Sequence, residues 1–367
     1  MNRERIARLK KQILANGYDG IVLMPGPNMV YLTGIHAHVS ERPVLLFIPV
    51  IGKPAIIIPR LEAMKARDAG IAEERIFHWS DEEGYEGAFQ NACTRLGLSE
   101  NVLAVEALYM RLLEIELIQR YAPGAALVHA EPLMTSLRIA KDESELTAMQ
   151  KAAECAENAM SNLLPRIKIG ASEKEIAVML MEELVKAGSQ GVPFGPIVSS
   201  GPNAGSPHAV PTDRAIQEGE LLVIDWGALS DGYPSDITRT FAIGDLEPEL
   251  VKIYETVREA NGAACALAGP GISGEELDQA ARNVIEDSGF GPYFIHRTGH
   301  GLGLEIHEPP YIVEGSDEPL KAGAVFTIEP GIYLPDRAGV RIEDDMVITD
   351  NGSRTLTAFP RNLITIG

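Results

Sequence analysis

Two spacings of apolar residues alternate along the first third of the chain. The runs GIVLM (20–24), PVLLFIPV (43–50), PAIIIP (54–59), VLAVE (102–106) and ALVHA (126–130) have the length and branched content of strands. Between them, stretches near 2–16, 61–69, 85–96 and 108–120 repeat apolar residues at helical intervals; Ile6, Leu9, Ile13 and Leu14 are one such set. Strands alternating with helices predict an α/β layer domain. No GxGxxG follows any of these strands, which argues against a dinucleotide site. A boundary falls near Glu131-Pro132, giving an N-terminal domain over 1–132 and a second domain over 133–367.

The pattern beyond the boundary occurs twice. A helix over 145–160, opened by Asp142 and Glu145 as a capping box, precedes a second helix over 169–188, opened by Ser172 with Glu175 three residues on. Helical residues 249–268 precede another helix over 272–289, opened by Ser273 with Glu276 three residues on. Each pair leads into a histidine-bearing segment and then a strand. The strands superpose position for position: EGELLVIDWG (218–227) over AGAVFTIEPG (322–331). From capping serine to strand acid is 225 − 172 = 53 residues in one copy and 329 − 273 = 56 in the other. Common helical composition would mimic the helices, but it does not explain the matched acids. Two related halves about an approximate two-fold are the reading this supports.

Those acids end near-continuous apolar runs, LLVI before Asp225 and VFTI before Glu329, of the kind buried on both faces of a sheet. A buried carboxylate costs roughly several kcal/mol unless it is protonated, salt-bridged or bound to metal. Each has a second acid downstream across a turn: Asp236 after the DG at 231–232, and Glu343 after PDRAG (335–339). If the halves pack together, four carboxylates converge, and multivalent cations are the natural counterweight. Just ahead of the second strand lies HRTGHGLGLEIHE (296–308), with three of the eight histidines. A histidine among carboxylates favours manganese, cobalt, iron or zinc over calcium or magnesium. The HExxH zinc motif fails at Tyr311.

Bulk composition narrows the partners. The 367 residues are 45% hydrophobic and 23% charged, enough for two globular domains. With 32 basic and 52 acidic residues the net charge is −20, which repels nucleic acid and anionic membrane surfaces. Cys93, Cys155 and Cys265 lie far apart and form no CxxC; they read as free thiols of a cytoplasmic protein. The N-terminus lacks a signal-peptide apolar region, and no run is long enough to span a bilayer.

Taken in order, YLTG (31–34), PHAVPTDR (207–214), IDWGALSDGYPSDITRTF (224–241), HRTGHGLGLEIHEPP (296–310), TIEPGIY (327–333) and GVRIEDD (339–345) resemble the motifs of the pita-bread metallopeptidases. The likeness is strongest to the Xaa-Pro peptidases, aminopeptidase P and prolidase, and it covers essentially the whole chain. It implies an α/β N-terminal domain followed by an α+β pita-bread domain with an internal pseudo-two-fold repeat. It implies that Asp225, Asp236, His300, Glu329 and Glu343 ligate two divalent metals, Mn2+ or Co2+ before Zn2+ or Fe2+. It places His208 and His307 near the substrate as approximate counterparts, with His296 and Arg341 lining or bracing the pocket. Glu329 would carry a proton from water to the leaving nitrogen. The substrates would be short proline-containing peptides, and a homodimer is the expected assembly. Exposed His36 and His38 could approach a partner subunit's site.

One departure bears on specificity. Some prolidases carry an arginine shortly after HE, where it can clamp a dipeptide's carboxylate; here HEPPY places Tyr311 at that point. The expectation therefore leans to an Xaa-Pro aminopeptidase, with an Xaa-Pro dipeptidase as the alternative. A non-peptide amide hydrolase and a binding protein on the same scaffold are the other readings. The intact ligand set argues against both.

Overall fold

The computed structural model describes residues 1–367, which divide into two compact units, Met1–Arg138 and Ile139–Gly367. The first unit is built on a six-stranded sheet. Its strand order is Ile76–Trp79, Ala55–Pro59, Leu45–Pro49, Gly20–Leu23, Val102–Val105, Ala126–His129. The three strands Ala55–Pro59, Leu45–Pro49 and Gly20–Leu23 run antiparallel in succession; the other pairings are parallel. Helices Glu86–Leu96 and Leu112–Tyr121 pack Phe89, Ala92, Leu117 and Ile118 onto it. YLTG closes the short helix Pro27–Thr33, where Gly34 at φ 73° supplies the left-handed cap. His36 and His38 are exposed in the loop that follows. Helix Glu131–Arg138 completes this unit.

The second unit holds two helix pairs, two larger sheets and two small two-stranded hairpins. Helix Glu143–Leu163 pairs with Glu173–Lys186, and helix Pro248–Leu267 with Gly274–Asp287. The capping boxes at Asp142, Ser172 and Ser273 are all formed. The first sheet runs Thr365–Ile366, Ile237–Ile243, Glu220–Trp226, Ile197–Ser200; the second runs Glu308–Ile312, Gly299–Gly301, Val325–Ile328, Asp344–Thr349, Gly352–Thr355. Glu220–Trp226 and Val325–Ile328 occupy corresponding places. Each is flanked by the strand that follows it across a hairpin, and on the other side by an antiparallel strand from upstream. Each helix pair covers its own sheet with apolar side chains, Met160, Ile176 and Leu180 in one half, Ile253, Val257 and Leu277 in the other.

The halves meet at a bridge between Thr238 and Glu343, where the Glu343 N–H donates to the Thr238 carbonyl at 3.1 Å. Arg239 locks that seam. Fully buried, it donates to the carbonyls of Thr238, Glu343, Phe359 and Pro360 and pairs with Asp344 at 2.8 Å. No helix is long and apolar enough to cross a membrane.

Candidate active site

The seam brings the repeated acids together. Asp225 is the penultimate residue of its strand and pairs with Thr238, so Asp236, two residues before Thr238, projects from the same face. In the other half the terminal pair is Ile328 with Asp344, which sets Glu329 opposite Glu343. The two-residue tip Asp231-Gly232, with φ of 49° and 81°, closes one small hairpin; the other turns at Pro335–Arg337 between strands Gly331–Leu334 and Ala338–Arg341. His300 reaches in from Gly299–Gly301, with Nε2 3.7 Å from Asp236 and 3.4 Å from Glu329. The ligand atoms of Asp236, His300 and Glu343 lie within 4.8 Å of one another.

Bare glycine lets this strand in. A Cβ on Gly299 would sit 1.9 Å from the Thr327 carbonyl oxygen, and one on Gly301 would sit 2.3 Å from that of Pro309. No other residue fits at either point.

A cavity of about 590 Å³ opens over the cluster, lined by all five acids and histidines named above together with His208, His296, His307, Arg297 and Arg341. His208 and His307 stand exposed at its sides. The His307 ring meets the His300 ring edge to face at 4.2 Å. Arg341 is buried, with its guanidinium on Asp225 Oδ2 (2.6 Å), Tyr333 Oη (2.7 Å) and Thr238 Oγ1 (3.1 Å). Thr238 Oγ1 in turn donates to Glu343 at 2.5 Å, so one arginine braces acids of both halves. His296 is held by Tyr333 Oη at 3.1 Å.

Charge in the cluster is out of balance. Burial first, then repulsion from Glu343, Asp225 and Asp345, drives the Asp236 carboxyl well above its usual range. Burial and the Glu329 charge do the same to Glu343. Burial lifts Asp225 against the pull of Arg341, and lifts Glu329 to about 7. Burial drops His300 to about 3 and His296 to about 4. Desolvation and the neighbouring Arg297 lower His307 as well. The neutral His300 sets Nδ1 3.2 Å from the Gly301 carbonyl, which fixes the proton on Nδ1 and leaves a lone pair on Nε2 facing two carboxylates. Asp225 Oδ1 is buried with no partner. Lone pair against lone pair, and an orphaned carboxylate oxygen, are what cations between these groups would resolve. One imidazole among carboxylate oxygens is a donor set for manganese, cobalt, iron or zinc.

These shifts carry a stability prediction. The raised acids make the folded, metal-free protein hold protons that the unfolded chain has released above about pH 4, and Glu329 keeps this true to about 7. The lowered histidines work the other way, but only below their ordinary value near 6.5. Between pH 6.5 and 8 the acids alone act. Stability of the chelated protein therefore falls as pH rises through that window, and Mn2+ at pH 8 restores it. Thermal melts with and without metal check this; a chelated protein that gains stability toward pH 8 would contradict it.

Buried charged groups also hold the loops. Glu173, in the first turn of its helix, is fully buried and accepts from Ser200 N and Oγ, Asn203 Nδ2, and Thr212 N and Oγ1 at 2.7–3.1 Å. It thereby clasps both ends of the segment that carries His208. Asp278 accepts from Thr298 N (3.2 Å) and Oγ1 (2.7 Å) beneath the second motif. Lys141 and Glu308 form a buried pair at 2.8 Å beside His307. Glu173→Ala orphans several buried donors, each costing about 1–3 kcal/mol, so urea unfolding is expected to show a loss of about 3 kcal/mol or more.

The nine residues singled out in the second domain line this one cavity; His36 and His38 are not among its lining residues. Four further participants were not foreseen. Thr238 and Tyr333 bridge to Arg341, Asp345 Oδ2 accepts the Asp236 N–H at 3.0 Å, and Arg297 lines the wall. Thr238 and Asp345 each lie two residues past a singled-out acid, so strand alternation was the available signal.

The fold and this donor set define a metal-dependent hydrolase. The description "Metallopeptidase family M24" matches residues 147–350, and "Creatinase/Prolidase N-terminal domain" matches residues 5–140. The chain belongs to metallopeptidase family M24, and its second unit is the pita-bread domain that the motifs resemble. It is 34% identical over 364 residues to an Xaa-Pro dipeptidase of Pyrococcus horikoshii, covering 98% of this chain and 99% of that one. A prolidase crystal structure from Thermococcus sibiricus superposes with a TM-score of 0.94 at 37% identity over 100% of both chains. The structure of dipeptidase PepE from Mycobacterium ulcerans gives 0.91 at 35% identity, covering 99% of this chain and 97% of that one. The protein is a metallopeptidase that works with divalent metal ions.

Proposed function

We propose that the protein is an Xaa-Pro dipeptidase that uses two divalent ions held by Asp225, Asp236, His300, Glu329 and Glu343. The observation that carries this is the convergence of those groups, contributed by both halves, at the floor of one cavity. Relatives named dipeptidase and prolidase along the full chain support the substrate class. A cavity of about 590 Å³ suits a short peptide.

The bound ions would supply a water acidified toward neutral pH and a Lewis acid for the scissile carbonyl. Glu329 is suited to the proton traffic: from its place in the cavity its carboxylate takes a proton from the attacking water and returns it to the leaving nitrogen. In an Xaa-Pro bond that nitrogen is tertiary and can leave only once protonated. His307 and His208, on the cavity walls, donate hydrogen bonds to the carbonyl oxygen as charge builds on it. Arg341 aims the Asp225 carboxyl and opposes the burial that lifts it, and Tyr333 steadies His296. Manganese or cobalt is the proposed metal. The proposed compartment is the cytoplasm, in keeping with three free thiols. A homodimer is the proposed assembly.

Tyr311, 39% exposed on the strand after HE, favours a second reading, an Xaa-Pro aminopeptidase acting on longer peptides. Assay of Xaa-Pro dipeptides against longer Xaa-Pro peptides, with and without chelator, separates them. Dipeptides are expected to be hydrolysed at least about tenfold faster, because a longer chain replaces a charged terminus with an amide. Equal rates on longer peptides would replace the dipeptidase reading with the aminopeptidase one.

A further inference from the structure

Two guanidinium groups line the cavity, and only one of them is spoken for. Arg341 is fully engaged by Asp225, Tyr333, Thr238 and the Pro207 carbonyl. The Arg297 side chain is half-buried and forms neither an ion pair nor a hydrogen bond. Its one specific contact is aromatic: the guanidinium carbon lies 4.8 Å from the centre of the Tyr311 ring. In a chain with 52 acids, a cation beside a pocket of carboxylates that pairs with none of them is held back from pairing by its placement.

That placement is rigid. On one side of Arg297, the His296 ring bonds to the Arg297 carbonyl at 2.7 Å and to Tyr333 at 3.1 Å. On the other, Thr298 is clasped by Asp278 and passes its own carbonyl to the Glu329 N–H at 2.7 Å. Tyr311 comes from the neighbouring strand, opposite His300. The guanidinium lies over the ring and no protein group takes its N–H donors, the fork that matches a carboxylate. Tyr311 thus does more than replace an arginine with a neutral group: it supports one that arrives from the adjacent strand.

We propose that Arg297, seated on Tyr311, binds the C-terminal carboxylate of the dipeptide and so sets substrate length. This rests on the dipeptidase reading and names the residue that enforces it. A carboxylate entering above an acidic floor needs a cation, and Arg297 is the one free to serve. A peptide that continues past proline offers an amide instead and forfeits the charge-assisted pair.

The test compares Ala-Pro with Ala-Pro amide on the metal-loaded enzyme and on Arg297→Met and Arg297→Lys. The wild type is expected to prefer the free acid by about 30-fold in kcat/KM, mostly through KM. In Arg297→Met the preference should fall to within about twofold of unity, and Arg297→Lys should restore part of it, with metal content equal in all three. If Arg297→Met keeps the full preference, the carboxylate is read elsewhere and the proposal fails while the dipeptidase reading stands. If the wild type shows no preference, the dipeptidase reading fails and takes the proposal with it. A variant that loses metal and slows equally on both substrates would make Arg297 structural and overturn the proposal.

Discussion

Glu329→Gln is expected to lower kcat on Ala-Pro by about 10³-fold with little change in KM. The carboxamide keeps the size of the side chain and one carbonyl oxygen for Thr327 Oγ1, 3.4 Å away, and for any bound ion. It cannot take up a proton. Burial makes the Glu329 carboxyl a weaker acid than usual, at about 7 in the metal-free protein, the direction that favours taking up a proton. Metal content measured on the same samples separates lost proton transfer from a lost ligand. A variant that holds its metal and turns over at the wild-type rate would remove Glu329 from the proton path.

Asp236→Ala is expected to have the larger effect still, a fall in kcat/KM of about 10⁴-fold or more together with loss of bound metal. Asp236 sits where the two halves meet, between His300 and Glu343, and its backbone is tied by Asp345. The same substitution should raise the stability of the metal-free protein at pH 8, because it removes one of several buried like charges. A purely structural aspartate would give the opposite sign. Melting curves of chelated wild type and variant at pH 8 decide between them.

What could be read in the sequence was whatever depends on distance along the chain. The helix pairs followed from capping serines and apolar spacing, and the repeat followed from matched strand acids at 53 and 56 residues. What escaped depends on register between strands. The hairpin puts Asp225 and Asp236 on one face, yet the residue directly opposite Asp225 is Thr238, a partner that spacing along the chain does not reveal. Asp344 and Asp345 look alike in IEDD, yet one turns to Arg239 and Arg361 while the other turns to Asp236. Burial lifts Asp345, while the two arginines hold Asp344 low against the same burial. The strand Ile76–Trp79 went unseen because four residues with an exposed His78 among them give no apolar run. Tyr311 read as the absence of an arginine until its neighbour across the sheet put Arg297 over the ring.

The central claim is that the acids at the ends of two buried strands are held together by divalent ions. The direct measurement is metal content and Ala-Pro hydrolysis on one preparation, purified without chelator, then stripped, then reloaded with Mn2+. Two ions per chain, activity lost in step with them and regained on reloading, is the expected result. A stripped protein that still hydrolyses at the original rate would contradict the claim.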